Sequence, residues 1–377
     1  MSYWPAVIVA TPAHSNVAHA LTYHCETALP VGCLVRVPLG RRDTLGIVAA
    51  CDTQCPEGVD PASVKPISES LTALPPLGPD WLALVGFAAK YYQRGLGEVA
   101  LAALPPELKK LDPTQLTRRL TRNTKIRSVA VTDNGTPSQE TPEASPEQRA
   151  ALAGIAGADK PVLLFGATGS GKTEVYLRLA ERQLRAGRRV LILVPEIGLT
   201  PQLVGRFAKR FAGIPLAVLH SGLTDTQRLE AWRRSHDGSA RLVLGTRSAV
   251  FAPIPDLGMI VVDEEHDASF KQQEGGFRYS ARDLALVRAQ QLDIPIVLGS
   301  ATPSLESLHN VTLGRFHHLS LPRRAGNAQP PTLKLIDLRA EHVHAGLSTT
   351  AATTIEKHLA DQGQVLVYIN RRGYAPT

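Results

Sequence analysis

Two short runs carry residue types that could handle a phosphate chain. The first, Gly166-Ala167-Thr168-Gly169-Ser170-Gly171-Lys172-Thr173, matches G-x4-G-K-[ST]. Glycines let backbone N–H groups curl around phosphate oxygens. Lys172 would reach the outer phosphates and the Thr173 hydroxyl would bind Mg²⁺. An apolar run, Val162–Phe165, precedes this loop, and Glu174-Val175-Tyr176-Leu177 reads as the opening of a helix after it. A glycine turn that holds no ligand is the plain alternative, and these flanks argue against it. The second run, Met259-Ile260-Val261-Val262-Asp263-Glu264-Glu265-His266, is an apolar strand that delivers carboxylates at its end. Asp263 suits Mg²⁺ coordination and Glu264 suits polarising a water. By itself the run would also fit a solvated acidic loop.

Three further segments follow strand-like runs: Pro195 to Gln202, Gly245-Thr246-Arg247-Ser248, and Gly299-Ser300-Ala301-Thr302-Pro303. Small and hydroxyl-bearing residues at such ends, Thr246 and Arg247 among them, can hold a phosphodiester backbone without reading bases. Each is also ordinary loop chemistry. After the acidic run, Phe270-Lys271-Gln272-Gln273-Glu274-Gly275-Gly276-Phe277-Arg278-Tyr279 interleaves aromatics with cations. That pattern suits base stacking with phosphate contact on a single strand. It equally suits a hydrophobic anchor that pins a loop.

The elements that must position these residues are legible from periodicity. Apolar, β-branched runs recur at Val162–Phe165, Val190–Val194, Leu216–Leu219, Leu242–Leu244, Met259–Val262 and Ile296–Leu298, with helical stretches between several of them. This predicts a parallel sheet covered on both faces. Ahead of it, strands are expected at Ala6–Ala10, Gly32–Val37 and Thr44–Ala49, with loop over 51–79. A helix is expected from Trp81 to Arg94, capped by Asp80, with Trp81, Leu84, Val85, Ala88 and Tyr92 on one face. Residues 111–145 have the composition of a linker.

Bulk properties narrow the class. The chain has 377 residues, 44% hydrophobic and 20% charged, enough for two or three domains. No apolar run approaches the ~18–20 residues of a membrane span. The start Ser2-Tyr3-Trp4-Pro5 lacks a signal-peptide pattern, so a cytoplasmic protein without membrane partners is expected. The net charge of +7 favours nucleic acid only mildly, since residues 1–110 hold 8 Lys+Arg against 9 Asp+Glu. Cys25, Cys33, Cys51 and Cys55 fit free thiols better than a zinc site, although Cys51 and Cys55 are spaced C-x3-C.

The order of the motifs is that of superfamily 2 helicases. Pro195 to Gln202, Asp263 to Tyr279, and Asn370-Arg371-Arg372-Gly373-Tyr374-Ala375-Pro376 closely resemble the PriA (primosomal protein N′) family of replication-restart helicases. The resemblance covers 1–110 and 146–377. It implies a small β-rich domain binding the 3′ end of a nascent strand over 1–110, carried on Tyr23, Gly32–Gly40 and Tyr91-Tyr92. A linker or vestigial winged-helix region would follow over 111–145. A RecA-like α/β lobe that binds ATP would occupy 146–321, and the start of a second lobe 322–377. Gln148 would contact adenine. Gly166 to Thr173 would bind ATP, with Thr173 and Asp263 on Mg²⁺, and Lys172, Asp263, Glu264 and His266 would serve hydrolysis. His266 and Ser300–Thr302 would couple nucleotide to DNA. Thr22, Tyr23, Thr246, Arg247, Phe270, Lys271, Phe277, Arg278 and Tyr279 would contact DNA.

The implied activity is ATP-dependent 3′→5′ unwinding at stalled forks. The implied partners are forked and single-stranded DNA, single-stranded DNA-binding protein and other primosome proteins. A non-catalytic ATP- and DNA-binding module is the alternative. Three departures stand out. Leu21-Thr22-Tyr23 replaces the family's frequent Phe-Asp-Tyr, and 111–145 is short for a winged helix. The family's zinc cysteines follow the Asn-Arg-Arg-Gly run, beyond Thr377, as does the second lobe's arginine finger. The expectation is therefore a chain that binds ATP but hydrolyses it negligibly. Only a helix near Thr350–Asp361 and a strand at Gln364–Ile369 would remain of the second lobe, docked opportunistically or mobile.

Overall fold

The computed structural model describes residues 2–11, 20–111, 114–115, 143–196, 201–324 and 332–368. The linker segment and the Asn370–Pro376 run lie largely or wholly outside these residues. The chain divides into two compact units, Met1–Gly326 and Asn327–Thr377.

The first unit begins with an antiparallel sheet. Its strands are β1 (Trp4–Ile8), β2 (Ala20–Thr22), β3 (Leu34–Leu39), β4 (Arg42–Asp52) and β5 (Glu69–Ser70), in the order β2-β1-β4-β3-β5. The three expected strands are present, and β2 and β5 are added at the two edges. Alternation sorts the side chains into two cores. Val7, Val35, Val37 and Val48 pack with Tyr23 on one face. Ile8, Leu34, Leu45 and Ile47 face the helices on the other.

Helix α1 (Pro79–Tyr91) covers that second face, followed by α2 (Leu96–Ala102). Its N-cap is Gly78, with no side-chain cap. Asp80 lies inside the first turn and does not cap it. Pro79 explains the shift: it is preorganised for the first helical position and lacks the N–H a cap would satisfy. Trp81, Leu84, Val85 and Ala88 are buried as their spacing predicts.

The second layer is a seven-stranded parallel sheet in the order β12-β6-β11-β10-β7-β9-β8. The strands are β6 (Val162–Gly166), β7 (Arg189–Leu193), β8 (Leu216–Leu219), β9 (Leu242–Gly245), β10 (Leu257–Asp263), β11 (Ile296–Ser300) and β12 (His317–Leu321). The six expected strands are all there. The seventh, β12, escaped because its residues His317-His318-Leu319-Ser320-Leu321 sit at an edge and bury only the last. Helices α3 (Pro146–Ala156), α4 (Lys172–Arg185), α5 (Pro201–Arg210), α6 (Asp225–His236), α7 (Ala281–Leu292) and α8 (Leu305–Thr312) join the strands. Leu163, Leu191, Leu193, Ile260 and Leu298 pack on one face, and Val162, Leu164, Val190, Val261 and Val297 on the other. Both faces are dry, which is why these strands read as continuous apolar runs.

The first of these faces shares a single core with α1. Trp81 is 1% exposed, and its indole Nε1 donates to the Phe251 carbonyl at 2.7 Å. The N-terminal domain is thus packed on the parallel-sheet lobe. In the second unit, β13 (Val343–His344) and β14 (Leu347–Ser348) form a hairpin before α9 (Thr349–Ala360). The helix matches expectation. The strand at Gln364–Ile369 does not form among the described residues: Gln364–Tyr368 pair with no other strand. Leu366 is 94% exposed, so the run lacks the neighbour a strand needs.

Candidate functional site

The loops after β6, β7, β8, β9, β10 and β11 all emerge at the carboxyl edge of the parallel sheet, where open α/β sheets bind ligands. The loop after β6 turns through left-handed conformations at Gly169 (φ 81°) and Gly171 (φ 86°), which a side chain would resist. Lys172 then opens α4. Its Nζ is buried, donates to the Gly166 carbonyl at 2.8 Å and lies 3.7 Å from Glu264 Oε1. Ser170 Oγ is buried and has no hydrogen-bond partner. A buried ammonium and an orphaned hydroxyl at a helix N-terminus fit an anionic ligand such as a phosphate chain. Ala167 and Thr168 complete this loop, and Thr173 follows Lys172 in the first turn of α4.

Gln148 is buried in the first turn of α3. It closes a capping box with Ser145, and its Nε2 donates to the Gly171 carbonyl at 3.3 Å. The residue expected to meet adenine therefore braces the phosphate loop from behind.

Asp263 ends β10. Tyr176, 1% exposed, donates its hydroxyl to Asp263 Oδ1 at 3.0 Å. Burial pushes the Asp263 carboxyl above the usual carboxylate range, and the neighbouring Glu264 charge adds to this. The Tyr176 ring passes so close to β11 that a Cβ at Gly299 would lie 1.6 Å from its oxygen. Tyr176 and Gly299 were missed in the sequence. The available signal was that Tyr176 stands four residues after Lys172, on the same helical face.

His266 links two motifs. Its Nδ1 is 2.7 Å from Ser300 Oγ, its Nε2 3.3 Å from Thr302 Oγ1, and Glu264 Oε2 lies 3.7 Å away. Glu265, 1% exposed, has a different task. It accepts from the Ser304 amide (2.7 Å), the hydroxyls of Ser304 and Ser307 (3.0 and 2.9 Å) and Arg282 Nη1 (3.1 Å). It anchors the start of α8.

A cleft beside this site is lined by Glu196, Ser221, Thr246, Arg247, Gln272 and Tyr279. Arg247 Nη1 donates to the carbonyls of Ser269 (2.9 Å) and Lys271 (3.3 Å). Thr246 is buried. The aromatics expected to stack on bases are turned inward: Phe270 is 2% and Phe277 8% exposed. Phe277 stacks on Tyr279 at 4.9 Å and meets Phe251 at 6.0 Å. Burial pushes the Tyr279 phenol up to about 12. The anchor reading of this run holds in this conformation, because apolar rings gain more from the core than from solvent. Lys271 and Arg278 remain exposed.

In the N-terminal domain, Tyr23 is also a core residue, 3% exposed, with its hydroxyl donating to the Pro38 carbonyl at 3.2 Å. Thr22, beside it, is half-buried on β2. The four cysteines are free thiols, and among the described residues no His, Cys, Asp or Glu cluster could hold a metal. No helix among them is long and apolar enough to cross a membrane.

Comparison with known proteins gives two family matches in tandem. Residues 6–105 match a 3′DNA-binding domain family of PriA, and residues 145–311 match the DEAD/DEAH box helicase family. The replication restart protein PriA of Haemophilus influenzae is 38% identical over 93% of this chain and 56% of its own length. That of Rickettsia felis is 35% identical over 92% of the chain and 51% of its own. The Bacillus subtilis protein is 44% identical over 61% of the chain and 29% of its own. The chain spans about half the length of the curated relatives it matches across its whole extent. With two domains matched in the order 3′DNA-binding then helicase, and the helicase motifs meeting at one sheet edge, the chain is similar to PriA replication restart proteins over about half of their length.

Proposed function

We propose that this chain is the nucleotide- and DNA-binding portion of an ATP-dependent 3′→5′ DNA helicase of the PriA type. Its role would be to recognise stalled or collapsed replication forks and start primosome assembly in the cytoplasm. Single-stranded DNA-binding protein and other primosome proteins would be its partners, by its likeness to relatives named as replication restart proteins. The observation that carries the reading is that Lys172 and His266 each lie 3.7 Å from a Glu264 carboxylate oxygen, next to Asp263, whose carboxylate Tyr176 holds.

The residues present fit Mg²⁺–ATP. The amides from Gly169 to Thr173, Ser170 Oγ and Lys172 Nζ would hold the phosphates, while the Thr173 hydroxyl and Asp263 would hold the metal. Bound there, the metal would neutralise charge that develops on the phosphate oxygens. Lys172 exchanges its Gly166 carbonyl for a ligand oxygen. Tyr176 fixes the Asp263 carboxylate through one of its two oxygens. Glu264 orients a water and accepts its proton. His266, bound to Ser300 and Thr302, passes a shift at Glu264 to the segment that starts α8. The N-terminal domain would bind the 3′ end, and the cleft at Thr246 and Arg247 the strand's backbone.

Calorimetric titration with Mg²⁺–ATP tests this. Wild type should bind measurably and Lys172→Ala should not, since the phosphate charge loses its buried partner. Equal affinities would overturn the reading.

A further inference from the structure

The loop 271–280 follows the acidic box and is closed at its base, where Gln272 N–H donates to the Tyr279 carbonyl at 2.8 Å and Lys271 bridges to Ser280. What holds it from outside is the N-terminal domain. Tyr92, the C-cap of α1, accepts the Ser280 amide on its hydroxyl at 3.0 Å. Its ring stands edge-on to Phe277, 5.8 Å between centroids at 78°. A Cβ at Gly276 would lie 3.2 Å from Glu98 Oε1, so the loop also runs against α2. At the other end of α1, Trp81 holds the Phe251 carbonyl. Phe251 closes the aromatic group, edge-on to Tyr279 at 5.1 Å. It also ends the turn Arg247–Phe251, which carries Arg247. One helix of the N-terminal domain therefore grips both segments that Arg247 ties together.

We propose that Tyr92 is a positioning residue: through its hydroxyl and ring the N-terminal domain sets the place of the loop 271–280, and with it the exposed cations Lys271 and Arg278. The purpose rests on the DNA-binding reading above. The contact does not. The Ser280 amide is the N-cap amide of α7, on a residue 7% exposed, and Tyr92 is the partner that keeps it paired. Unpaired buried donors are costly, and this one is satisfied from another domain. A ligand that moves α1 must then move the loop or break that bond. The loop's aromatic rings face a protein partner, and its cations face solvent, so the same segment can be held on one side and read a phosphate chain on the other.

Amide hydrogen exchange on the full chain tests the proposal, in wild type, Tyr92→Phe and Tyr92→Ala. Tyr92→Phe keeps the ring and removes the acceptor. Exchange at Ser280 and Gln272 should rise at least tenfold in Tyr92→Phe and further in Tyr92→Ala. Exchange at Leu84 and Leu163, in the cores on either side, should stay as in wild type. Loop exchange within twofold of wild type in both variants would overturn the proposal. So would a uniform rise that includes Leu84 and Leu163, which marks a merely structural residue. A second arm adds a single-stranded oligonucleotide with a free 3′ end. It should change loop exchange in wild type and not in Tyr92→Phe. Failure of wild type to bind it would sink the DNA reading, while the ligand-free comparison still decides the role of Tyr92.

Discussion

Gly299→Ala probes the carboxylate end of β10 without touching a site residue. The new methyl carbon would stand 1.6 Å from Tyr176 Oη and 2.8 Å from its Cζ, so the phenol must move. Tyr176 is 1% exposed and packed in the core. Forcing extra volume into a packed core costs about 1–3 kcal/mol. The move also breaks the hydrogen bond to Asp263, and bonds to charged groups contribute about 1.5–3 kcal/mol. The sum is centred on about 4 kcal/mol. At about 2–4 °C per kcal/mol for a domain of this size, the melting temperature should fall by about 8–16 °C. A double-mutant cycle separates the two parts. In a Tyr176→Phe background the bond is already gone, so Gly299→Ala should cost less by about the bond's worth. The assay is scanning calorimetry of the four chains. If Gly299→Ala costs under 1 kcal/mol, or the same in both backgrounds, the ring does not hold Asp263 as described.

Three further outcomes are expected. Glu265→Ala removes a buried acceptor of Ser304, Ser307 and Arg282, while Arg282 keeps its pair with Asp283, so it should destabilise by about 1.5–3 kcal/mol in chemical denaturation, and a loss below about 0.5 kcal/mol would refute this. Asp263→Asn should stabilise the ligand-free chain at neutral pH. The raised Asp263 pKa means the fold favours its protonated form, so the stability this gives is fully present below the unfolded pKa and is lost as pH rises through the folded pKa; the gain from Asn should shrink as pH falls, and a pH-independent gain would be the wrong result. Phe277→Ala should cost about 3–5 kcal/mol of stability as a buried ring, whereas Arg278→Ala should leave stability alone and lower the salt slope of single-strand binding by about 0.7, measured by anisotropy at several salt concentrations.

How much of this could be read beforehand follows from which interactions are local. The phosphate loop, six of the seven parallel strands and the face of α1 are written in runs of contiguous or regularly spaced residues, and they were legible. Tyr23, Phe270 and Phe277 were not, because an aromatic ring reads alike whether it packs inward or waits for a base. What decides is a partner distant in sequence: Pro38 for Tyr23, and Tyr92 and Phe251 for Phe277. Gly299 looked like part of a strand-ending turn. Its reason is a ring that arrives from α4, more than a hundred residues earlier. The edge strand β12 was hidden by its histidines, which an edge tolerates and an interior strand would not.

The acidic box shows why four adjacent polar residues need not compete. A continuing strand would send Asp263 and Glu265 to one face and Glu264 and His266 to the other. Here Glu264 takes a left-handed conformation (φ 47°), a choice that costs a non-glycine residue about 1–2 kcal/mol. That single reversal ends β10 and spreads the side chains. Asp263 turns to Tyr176, Glu264 towards Lys172, Glu265 to the start of α8, and His266 to Ser300. The strain is offset by the bonds it permits: the Glu265 amide donates to the Gly299 carbonyl at 3.0 Å, and the Asp267 amide to the Glu264 carbonyl at 2.9 Å. Both tie the turn back to β11 and to itself. The residue between the Asp263 and Lys172 sites is thus also the one that bends the backbone. It places one carboxylate oxygen 3.7 Å from Lys172 and the other 3.7 Å from His266.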